Sequence, residues 1–347
     1  MYLERKGDME LIAQVPSISI INNWEKTVPT FCFIIPTYRR ADLLRHALDS
    51  IMAIENAPRY EILVVDDNPE RSDETECLMM SHYNQPNMAY YKNSKNLRQE
   101  GNWNKLFSLA RAEWLIMLHD DDMLYPDYFK YLLKAMSVFG DKYGGFFPMF
   151  VGHEFSDGTL PTRTTSNIKA RVIKEMDFLQ GCVLGAPVGM CLKRSIVYEI
   201  GGVNNNSGVA VDYDFYNRLV RVTDVVKMYG YPTGVWRMMA NVSQHKSTVL
   251  TCVEYGDVLK RETLQDLGLS WLSKIYECYI RAFDRQHVVS WFVEMKKGQP
   301  EEQDLRMCSG LDKVVYKTIR SLLAGIRHLR FANRKITLCG DKSTNEC

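Results

Sequence analysis

The sequence predicts an α/β fold with a mostly parallel central sheet and helices on both faces. Two observations support this: short apolar runs alternate with helical periodicity between residues 31 and 122, and the runs are apolar at successive positions. Strands that are apolar at every position are buried on both faces, which is typical of parallel sheets. A content of 46% hydrophobic and 24% charged residues in 347 is ordinary for a folded globular protein.

The predicted elements follow one another in a regular order. Strands are expected at residues 31–35, 62–65, 88–92 and 114–118, with helices at 43–51, 74–83 and 101–111. Further on, strands are expected at 146–151, 188–193, 225–229 and 235–239, with a helix at 212–222 and helical periodicity from about residue 254. We expect residues 1–30 to form an N-terminal extension and 31–250 a central domain with halves 31–122 and 123–250. Residues 251–347 are expected to form a C-terminal helical region.

Charge and cysteine content exclude several classes of protein. A net charge of +1 argues against a uniformly basic nucleic-acid-binding protein. Nine cysteines without a C-x-x-C pair fit neither a zinc ribbon nor a disulfide framework, and indicate reduced thiols. The first 14 residues carry early acidic side chains and lack the apolar core of a signal peptide, and no run of 18 apolar residues occurs. We therefore expect a cytoplasmic protein.

Three consecutive carboxylates follow the fourth predicted strand. Asp120, Asp121 and Asp122 repel one another there, and a bound divalent cation would offset that repulsion. Carboxylate oxygens suit Mg²⁺ or Mn²⁺. The alternative is a solvated loop in which Asp127 caps the next helix.

A second acidic pair, Asp66 and Asp67, follows the second predicted strand. Ligands of such sheets bind beyond the carboxyl ends of the strands, where an aspartate can accept from a ribose hydroxyl or a base N–H. The alternative is an Asx-turn before Pro69. Neither G-x-x-x-x-G-K-[ST] nor a G-x-G-x-x-G after the first strand is present, so a bound diphosphate would be neutralised by a metal and by Arg or Lys.

These motifs resemble those of family 2 inverting glycosyltransferases of bacterial surface polysaccharide biosynthesis. The matching segments, in the family's order, are FIIPTYRR (33–40), VVDDN (64–68), NLRQEGNWN (96–104), LHDDD (118–122), PVGMCLKR (187–194) and VDYD (211–214). The resemblance implies a GT-A fold over about residues 31–245, followed by a C-terminal helical extension. It makes 31–122 the nucleotide-binding half and 123–250 the acceptor half of the glycosyltransferase domain. It also implies a UDP-sugar donor and a DXD-type motif that binds Mn²⁺ or Mg²⁺.

The resemblance further implies roles for individual residues. Those expected at the nucleotide are Pro36, Thr37, Tyr38, Arg40, Asp66, Asp67, Arg98, Asn104 and Asp120, with Asp66 or Asp67 accepting from the uracil N3–H. Asp121 would be the main metal ligand, flanked by Asp122. Asp212 corresponds to the family's catalytic base, the alternative being an exposed or capping residue at the start of its helix. Asp214, Arg237 and His245 are candidate contacts to the acceptor or the diphosphate.

Two segments depart from the family's pattern. Arg98 occupies a position where the family often has glycine, and is either a diphosphate contact or a surface residue. The segment that often reads aromatic-Arg-x-His is Trp236-Arg237-Met238-Met239 here, so its histidine is missing. His245 could replace it, although a lone histidine is more often a surface side chain. Trp236 stacks on a sugar or belongs to the core, and the core is favoured.

Residues 313–335 predict a basic amphipathic helix. The segment has seven basic and no acidic residues, and one stripe contains Val315, Ile319, Leu322, Ile326 and Leu329. Such a helix either lies on an anionic membrane surface or packs its stripe on the protein. Because related enzymes often use lipid-linked acceptors, the resemblance makes a peripheral position on the inner face of the cytoplasmic membrane plausible.

The sequence thus leads to one favoured function and two alternatives. The favoured one is a metal-dependent inverting glycosyltransferase that moves a sugar from a UDP-sugar to a hydroxyl of a glycan, such as a lipid-diphosphate-linked O-antigen or capsule repeat unit. A nucleotidyltransferase acting on sugar phosphates would need a glycine-rich basic loop after the first strand. A non-catalytic nucleotide- or glycan-binding subunit would tolerate loss of Asp121 or Asp212, and both are present.

Overall fold

The computed structural model describes residues 6–154, 157–238, 245–294, 299–331 and 336–338. The chain divides into two compact units. The first contains the residues up to 173, 184–240 and the segment from 336 onward. The second contains residues 174–183 and 241–335.

The first unit contains a large sheet and seven helices among the described residues. Its strands are β1 Ser17–Asn22, β2 Phe31–Thr37, β3 Tyr60–Asp66, β4 Met88–Asn93, β5 Trp114–Met117, β6 Asp122–Leu124, β7 Gly145–His153, β8 Ile168–Ile173, β9 Met190–Lys193, β10 Val225–Arg237 and β11 Ile336–Leu338. Its helices are α1 Met9–Ala13, α2 Ala41–Met52, α3 Glu74–His82, α4 Arg98–Leu109, α5 Tyr128–Phe139, α6 Arg194–Glu199 and α7 Val211–Val222.

The sheet is mixed, with a parallel core. Its order is β1-β4-β3-β2-β5-β9-β7-β10-β8-β11, and β6 pairs with β10. Strands β4, β3, β2 and β5 run parallel, as do β7 and β10. The remaining pairs are antiparallel. The predicted α/β fold is confirmed, and the carboxyl ends of β2, β3 and β5 meet at one edge.

Successive side chains of the buried strands point to opposite faces of the sheet, and a layer of helices packs on each face. Phe33 of β2 belongs to the same core cluster as Leu48 of α2, Leu78 of α3 and Phe129 of α5. Helix α4 packs on β2 and β3, and its Trp103 contacts Phe215 of α7 edge-on at 6.4 Å. Apolar side chains on both faces of the core strands therefore bury both helix layers.

Four strands, β1, β6, β8 and β11, were not predicted from the sequence, and one strand was predicted as two. β1 lies within the expected N-terminal extension, where its irregular burial hides the period of a strand. β6 has only three residues, and β8 lies in a segment rich in polar residues. Residues 225–237 form the single strand β10, which pairs with β8 along 225–229 and with β6 along 234–236.

The second unit is helical, as the periodicity from about residue 254 predicts. Its helices are α8 Lys246–Asp266, α9 Ser273–Glu294 and α10 Gly310–Phe331, and short 3₁₀ helices occur at Glu175–Gln180, Ser270–Leu272 and Glu302–Asp304. In the described part of the chain, no helix is both long enough and apolar enough to cross a membrane.

Helix α10 contains most of the predicted basic helix. Val315 and Ile319 pack against a cluster that includes Tyr276 and Tyr279 of α9, so the packing alternative is confirmed for this half of the stripe. Leu322, from the same stripe, is 61% exposed. The predicted positions from 327 onward lie outside the described side chains.

Candidate active site

The acidic triplet lies at the centre of the sheet edge, between β5 and β6. All three carboxylates are buried, and β6 places Asp122 opposite Trp236 of β10. Burial, reinforced by the charge of Asp121, raises the pKa of Asp120 to about 7 and raises the pKa of Asp122 well above its usual value. Carboxylates that resist ionisation in this way would be stabilised by a nearby cation. The alternative of a solvated loop is therefore wrong.

Thr37, the last residue of β2, and Arg40, in the loop after it, bind two of the three carboxylates. Thr37 Oγ1 donates to Asp120 Oδ2 at 2.8 Å, and Arg40 Nη1 donates to Asp121 Oδ2 at 3.0 Å. Arg40 also reaches Asp120 Oδ1 at 3.4 Å. The structure thus brings together four predicted site residues that lie about 80 positions apart along the chain.

A histidine that the sequence analysis did not single out joins this group. One ligand atom each from His119, Asp121 and Asp122 lie within 4.8 Å of one another. His119 Nε2 and Asp121 Oδ1 are buried and have no hydrogen-bond partner among the described residues. Burial lowers the pKa of His119, which favours the neutral imidazole that binds metals. The set fits a divalent cation, and the position of His119 directly before the triplet was the available signal.

Asp66 lies in an interior network at the end of β3. Its Oδ2 accepts from Lys92 Nζ at 2.7 Å and from Tyr90 Oη at 2.8 Å, and Lys92 also binds Asp73 at 2.9 Å. Its Oδ1 accepts from the backbone N–H of Asn68 at 2.9 Å, so the Asx-turn alternative is confirmed. Lys92 is fully buried, and its ammonium group balances the negative charge of the Asp66 carboxylate.

Asp67 links β3 to the start of α4. Its carboxylate accepts from Asn93 Nδ2 at 2.9 Å and from the backbone N–H of Leu97 at 2.8 Å. Burial raises its pKa to about 6. Among the other predicted nucleotide contacts at this edge, Pro36 is half-buried and Tyr38 is 43% exposed.

Arg98 begins α4 in the left-handed region, with φ of +61°. Its side chain is exposed, and its backbone N–H donates to Asn96 Oδ1 at 3.0 Å. A positive φ favours glycine, which explains why the resembling family often has glycine at this position.

Asp212 lies in the first turn of α7, half-buried. Its Oδ1 accepts from the backbone N–H of Tyr213 at 2.7 Å. Burial raises its pKa to about 6, so the carboxylate can accept a proton near neutral pH.

Three predicted contacts have structural partners instead. Asp214 is fully buried and accepts from Arg218 Nε at 2.9 Å, which makes it an interior ion pair of α7. Asn104 is fully buried and bonds both the N–H and the carbonyl of Val203, at 2.8 and 2.9 Å. The atoms of Asp214 and Asn104 that form these bonds are satisfied within the protein, so these bonds give no sign of a ligand contact.

Arg237 is the third such residue. Its Nε donates to the carbonyl of Asp121 at 2.6 Å, and its Nη2 donates to the carbonyls of Asp120 at 3.0 Å and Leu43 at 3.1 Å. Its Nη1 lies 3.0 Å from Nδ1 of His46. The guanidinium is buried, and these bonds direct its donors at the backbone of the acidic loop and at α2. A direct contact to the diphosphate or the acceptor stays a prediction for this residue.

The side chains of three further residues singled out in the sequence have other surroundings. Trp236 packs against the core and meets Phe150 at 6.4 Å, which confirms the core alternative. Asp127 pairs with Arg163 at 2.6 Å and does not cap α5 through its side chain. His245 belongs to the second unit and is exposed immediately before α8.

Comparison with known proteins gives a consistent result. The family model described as glycosyl transferase family 2 matches residues 32–201. An uncharacterized glycosyltransferase of Rickettsia bellii is 24% identical over 207 residues, which cover 57% of this chain and 28% of that protein. One from Rickettsia felis is 24% identical over 208 residues, covering 57% and 32%. This chain therefore matches about a third or less of the length of these two curated relatives.

Solved structures show the same fold. Residues 1–349 of TarS from S. aureus match with a TM-score of 0.50 at 12% identity, covering 85% of this chain and 92% of that one. The same TarS segment has also been solved in complex with UDP-GlcNAc, with a TM-score of 0.48. The likeness shows the GT-A type of fold, and the family match favours a glycosyltransferase over a nucleotidyltransferase.

Proposed function

The chain belongs to glycosyl transferase family 2 through residues 32–201, and from that premise we propose a metal-dependent, inverting transfer of a sugar from a UDP-sugar to a hydroxyl of a glycan. The observation that carries this proposal is the group of His119, Asp121 and Asp122, whose ligand atoms lie close together. Within it, His119 Nε2 and Asp121 Oδ1 have no hydrogen-bond partner among the described residues, and a divalent cation would satisfy such atoms. When bound, Mn²⁺ or Mg²⁺ would offset the negative charge that develops on the leaving diphosphate.

Asp212 is the proposed catalytic base. Inversion in a single displacement requires the acceptor hydroxyl to lose its proton as it attacks, and a positioned carboxylate can take that proton. A pKa of about 6 leaves Asp212 ionised at neutral pH, yet basic enough to receive the proton. Its place in the first turn of α7 adds stabilisation of the carboxylate by the helix dipole.

The loop after β2 and the end of β3 are the proposed nucleotide site. Thr37 and Arg40 hold Asp120 and Asp121 on one side, and Asp67 lies at the end of the adjacent parallel strand. Ligands of α/β sheets bind beyond these strand ends. The exposed ring of Tyr38 provides an apolar surface for a base, and Arg98 provides a positive charge for a diphosphate.

The acceptor is proposed to be a lipid-diphosphate-linked repeat unit of an O-antigen or capsule, met at an anionic membrane surface. Support comes from α10, where Lys313, Lys317 and Arg320 are exposed. Leu311, Val314 and Leu322 of the same helix are exposed as well, each by more than 60%. Basic and apolar side chains on one helix favour contact with the headgroup region of a bilayer without crossing it.

Nucleotide release and thermal shift together test this function. Wild-type protein and Asp121→Asn are melted with a panel of UDP-, GDP- and dTDP-sugars, beginning with UDP-GlcNAc, each with and without Mn²⁺. We expect a UDP-sugar to raise the Tm of the wild type only with Mn²⁺, and to leave the Tm of Asp121→Asn unchanged. Slow hydrolysis of that donor should release UDP. A shift with another nucleotide class would overturn the donor, and a shift independent of Mn²⁺ and of Asp121 would overturn the metal dependence.

A further inference from the structure

His119 occupies a position that predisposes its imidazole to bind a metal. It is the second residue after the end of β5 and directly precedes the three carboxylates. The ring of Trp103, which is fully buried on α4, meets the imidazole edge-on with centroids 5.3 Å apart. This contact limits the rotation of the imidazole, so its free nitrogen keeps a fixed direction.

The hydrogen bonds of the site leave that nitrogen without a partner. Thr37 and Arg40 bind Asp120 and Asp121, and Arg237 binds the backbone of the triplet. His119 Nε2 receives none of these donors and has no partner in the described part of the chain. A buried polar atom without a partner is costly, and a bound ion at this position would remove that cost.

The spacing of the ligand atoms agrees with a single cation. Atoms on opposite sides of a cation with ligand bonds of about 2 Å are separated by about 4 Å. The three atoms from His119, Asp121 and Asp122 lie within 4.8 Å, and they form the one such group found among the described residues. Small rotations of these side chains would therefore bring all three to the same ion.

We infer that His119 is a nitrogen ligand of the divalent cation, alongside Asp121 and Asp122, and that the site consequently prefers Mn²⁺ to Mg²⁺. The inference rests on the proposed metal dependence and specifies its ligands. Mg²⁺ is a hard ion that takes oxygen ligands and retains water, whereas transition-metal ions accept imidazole nitrogen. A site of carboxylates alone would discriminate less between the two ions.

The experiment measures metal binding directly. The full-length protein is titrated with Mn²⁺, with and without UDP, and free Mn²⁺ is followed by electron paramagnetic resonance. Pulsed measurements on the bound ion then detect hyperfine coupling to an imidazole nitrogen, and competition with Mg²⁺ gives the ratio of affinities. The variants are His119→Gln, which keeps a polar side chain of similar size, and His82→Gln, which changes an exposed histidine of α3 as a matched control.

The expected result is nitrogen coupling in the wild type and in His82→Gln, and its loss in His119→Gln. His119→Gln should bind Mn²⁺ about tenfold or more weakly, which is the usual effect of removing a contact that supports a metal site. It should also lose most of the preference for Mn²⁺ over Mg²⁺. Its Tm without metal, compared with that of the wild type, verifies folding. Should His119→Gln not fold, coupling in the wild type, measured on protein with nitrogen-labelled histidine, still decides the question.

The possible failures are distinguishable. Bound Mn²⁺ without nitrogen coupling, at unchanged affinity in His119→Gln, would overturn the role of His119 and leave the proposed metal dependence intact. Absence of Mn²⁺ binding by the wild type, with UDP present, would overturn both. Weaker binding by Asp121→Asn but equal binding by His119→Gln would assign the ion to the carboxylates alone.

Discussion

Asp212 combines partial burial with a place in the first turn of a helix, and this combination sets its proton affinity. Because only the ionised carboxylate can accept the acceptor's proton, we expect kcat/KM of the wild type to rise with pH through about 6 and then level off. Asp212→Asn should keep donor binding and lose turnover by about a hundredfold or more. Initial rates of UDP release between pH 5 and 8 measure both effects.

Thermal unfolding supplies the control for that variant. Folding raises the pKa of the Asp212 carboxyl group, so its ionised form destabilises the folded state at neutral pH. Asparagine removes that charge. Asp212→Asn should therefore unfold at an equal or higher temperature at neutral pH. Unchanged turnover in this variant would contradict the proposed role of Asp212 as the catalytic base.

Arg237 is a positioning residue, since it touches the backbone of the acidic loop and no reacting atom. Arg237→Lys keeps the charge but cannot donate simultaneously to the carbonyls of Asp120 and Asp121. We expect the folded variant to bind Mn²⁺ about 10- to 100-fold more weakly, as loss of a supporting contact does. A lower Tm with unchanged Mn²⁺ affinity would mean that Arg237 serves stability alone.

The positions of the acidic site residues could be predicted from the sequence, but the basic residues that bind at the same places could not. Asp66 and Asp120 follow buried strands, and the end of a parallel strand is a place that the sequence reveals. Lys92 and Arg237 lie 26 and 117 positions away from these acids and meet them only through strand pairing. Nothing in the local sequence of Arg237 distinguishes a buried arginine that binds the backbone from a ligand contact, so its bonds to the acidic loop could not be predicted.

Helix α4 begins with a strained residue, which gives a prediction at the scale of elements. A side chain at φ of +61° costs about 1–2 kcal/mol relative to glycine. Arg98→Gly should therefore raise the Tm by about 1–3 °C, whereas Arg98→Ala keeps the strain and should not. Both variants remove the charge, so both should raise KM for the donor equally if Arg98 contacts the diphosphate. An equal KM in wild type and variants would place Arg98 outside the donor site.

Strands and helices with a strong hydrophobic period could be predicted from the sequence. Strands that form only because a neighbouring strand pairs with them could not. The strands and helices between residues 31 and 118 agree with the predicted ones within a few residues, because both faces of β2, β3 and β5 are buried. β6 is three residues long and exists because β10 offers it an antiparallel partner. Its sequence alone, DML, has no period to detect.

For the whole molecule, the exposed basic residues of α10 predict a dependence on lipid charge. The full-length protein should sediment with vesicles containing anionic lipid and not with neutral vesicles. Changing Lys313, Lys317 and Arg320 together to glutamine should weaken this binding by about 3 kcal/mol, from about 1 kcal/mol for each charge. The matched control changes Lys26, Lys134 and Lys142, which are exposed in the first unit. Equal binding to neutral vesicles, or equal loss in the control, would contradict a specific role of α10.

The arrangement of the sheet edges has a consequence for synthesis on the ribosome. β1 emerges early but has to wait for β4, since Ser17 pairs with Asn93. At the other edge, β8 is paired along its outer side only by β11. Translation at about 5–20 residues per second leaves that outer side open for roughly 10 to 30 seconds. Unpaired edges are templates for aggregation, so the yield of this protein should depend on how quickly the nascent chain is completed or shielded by chaperones.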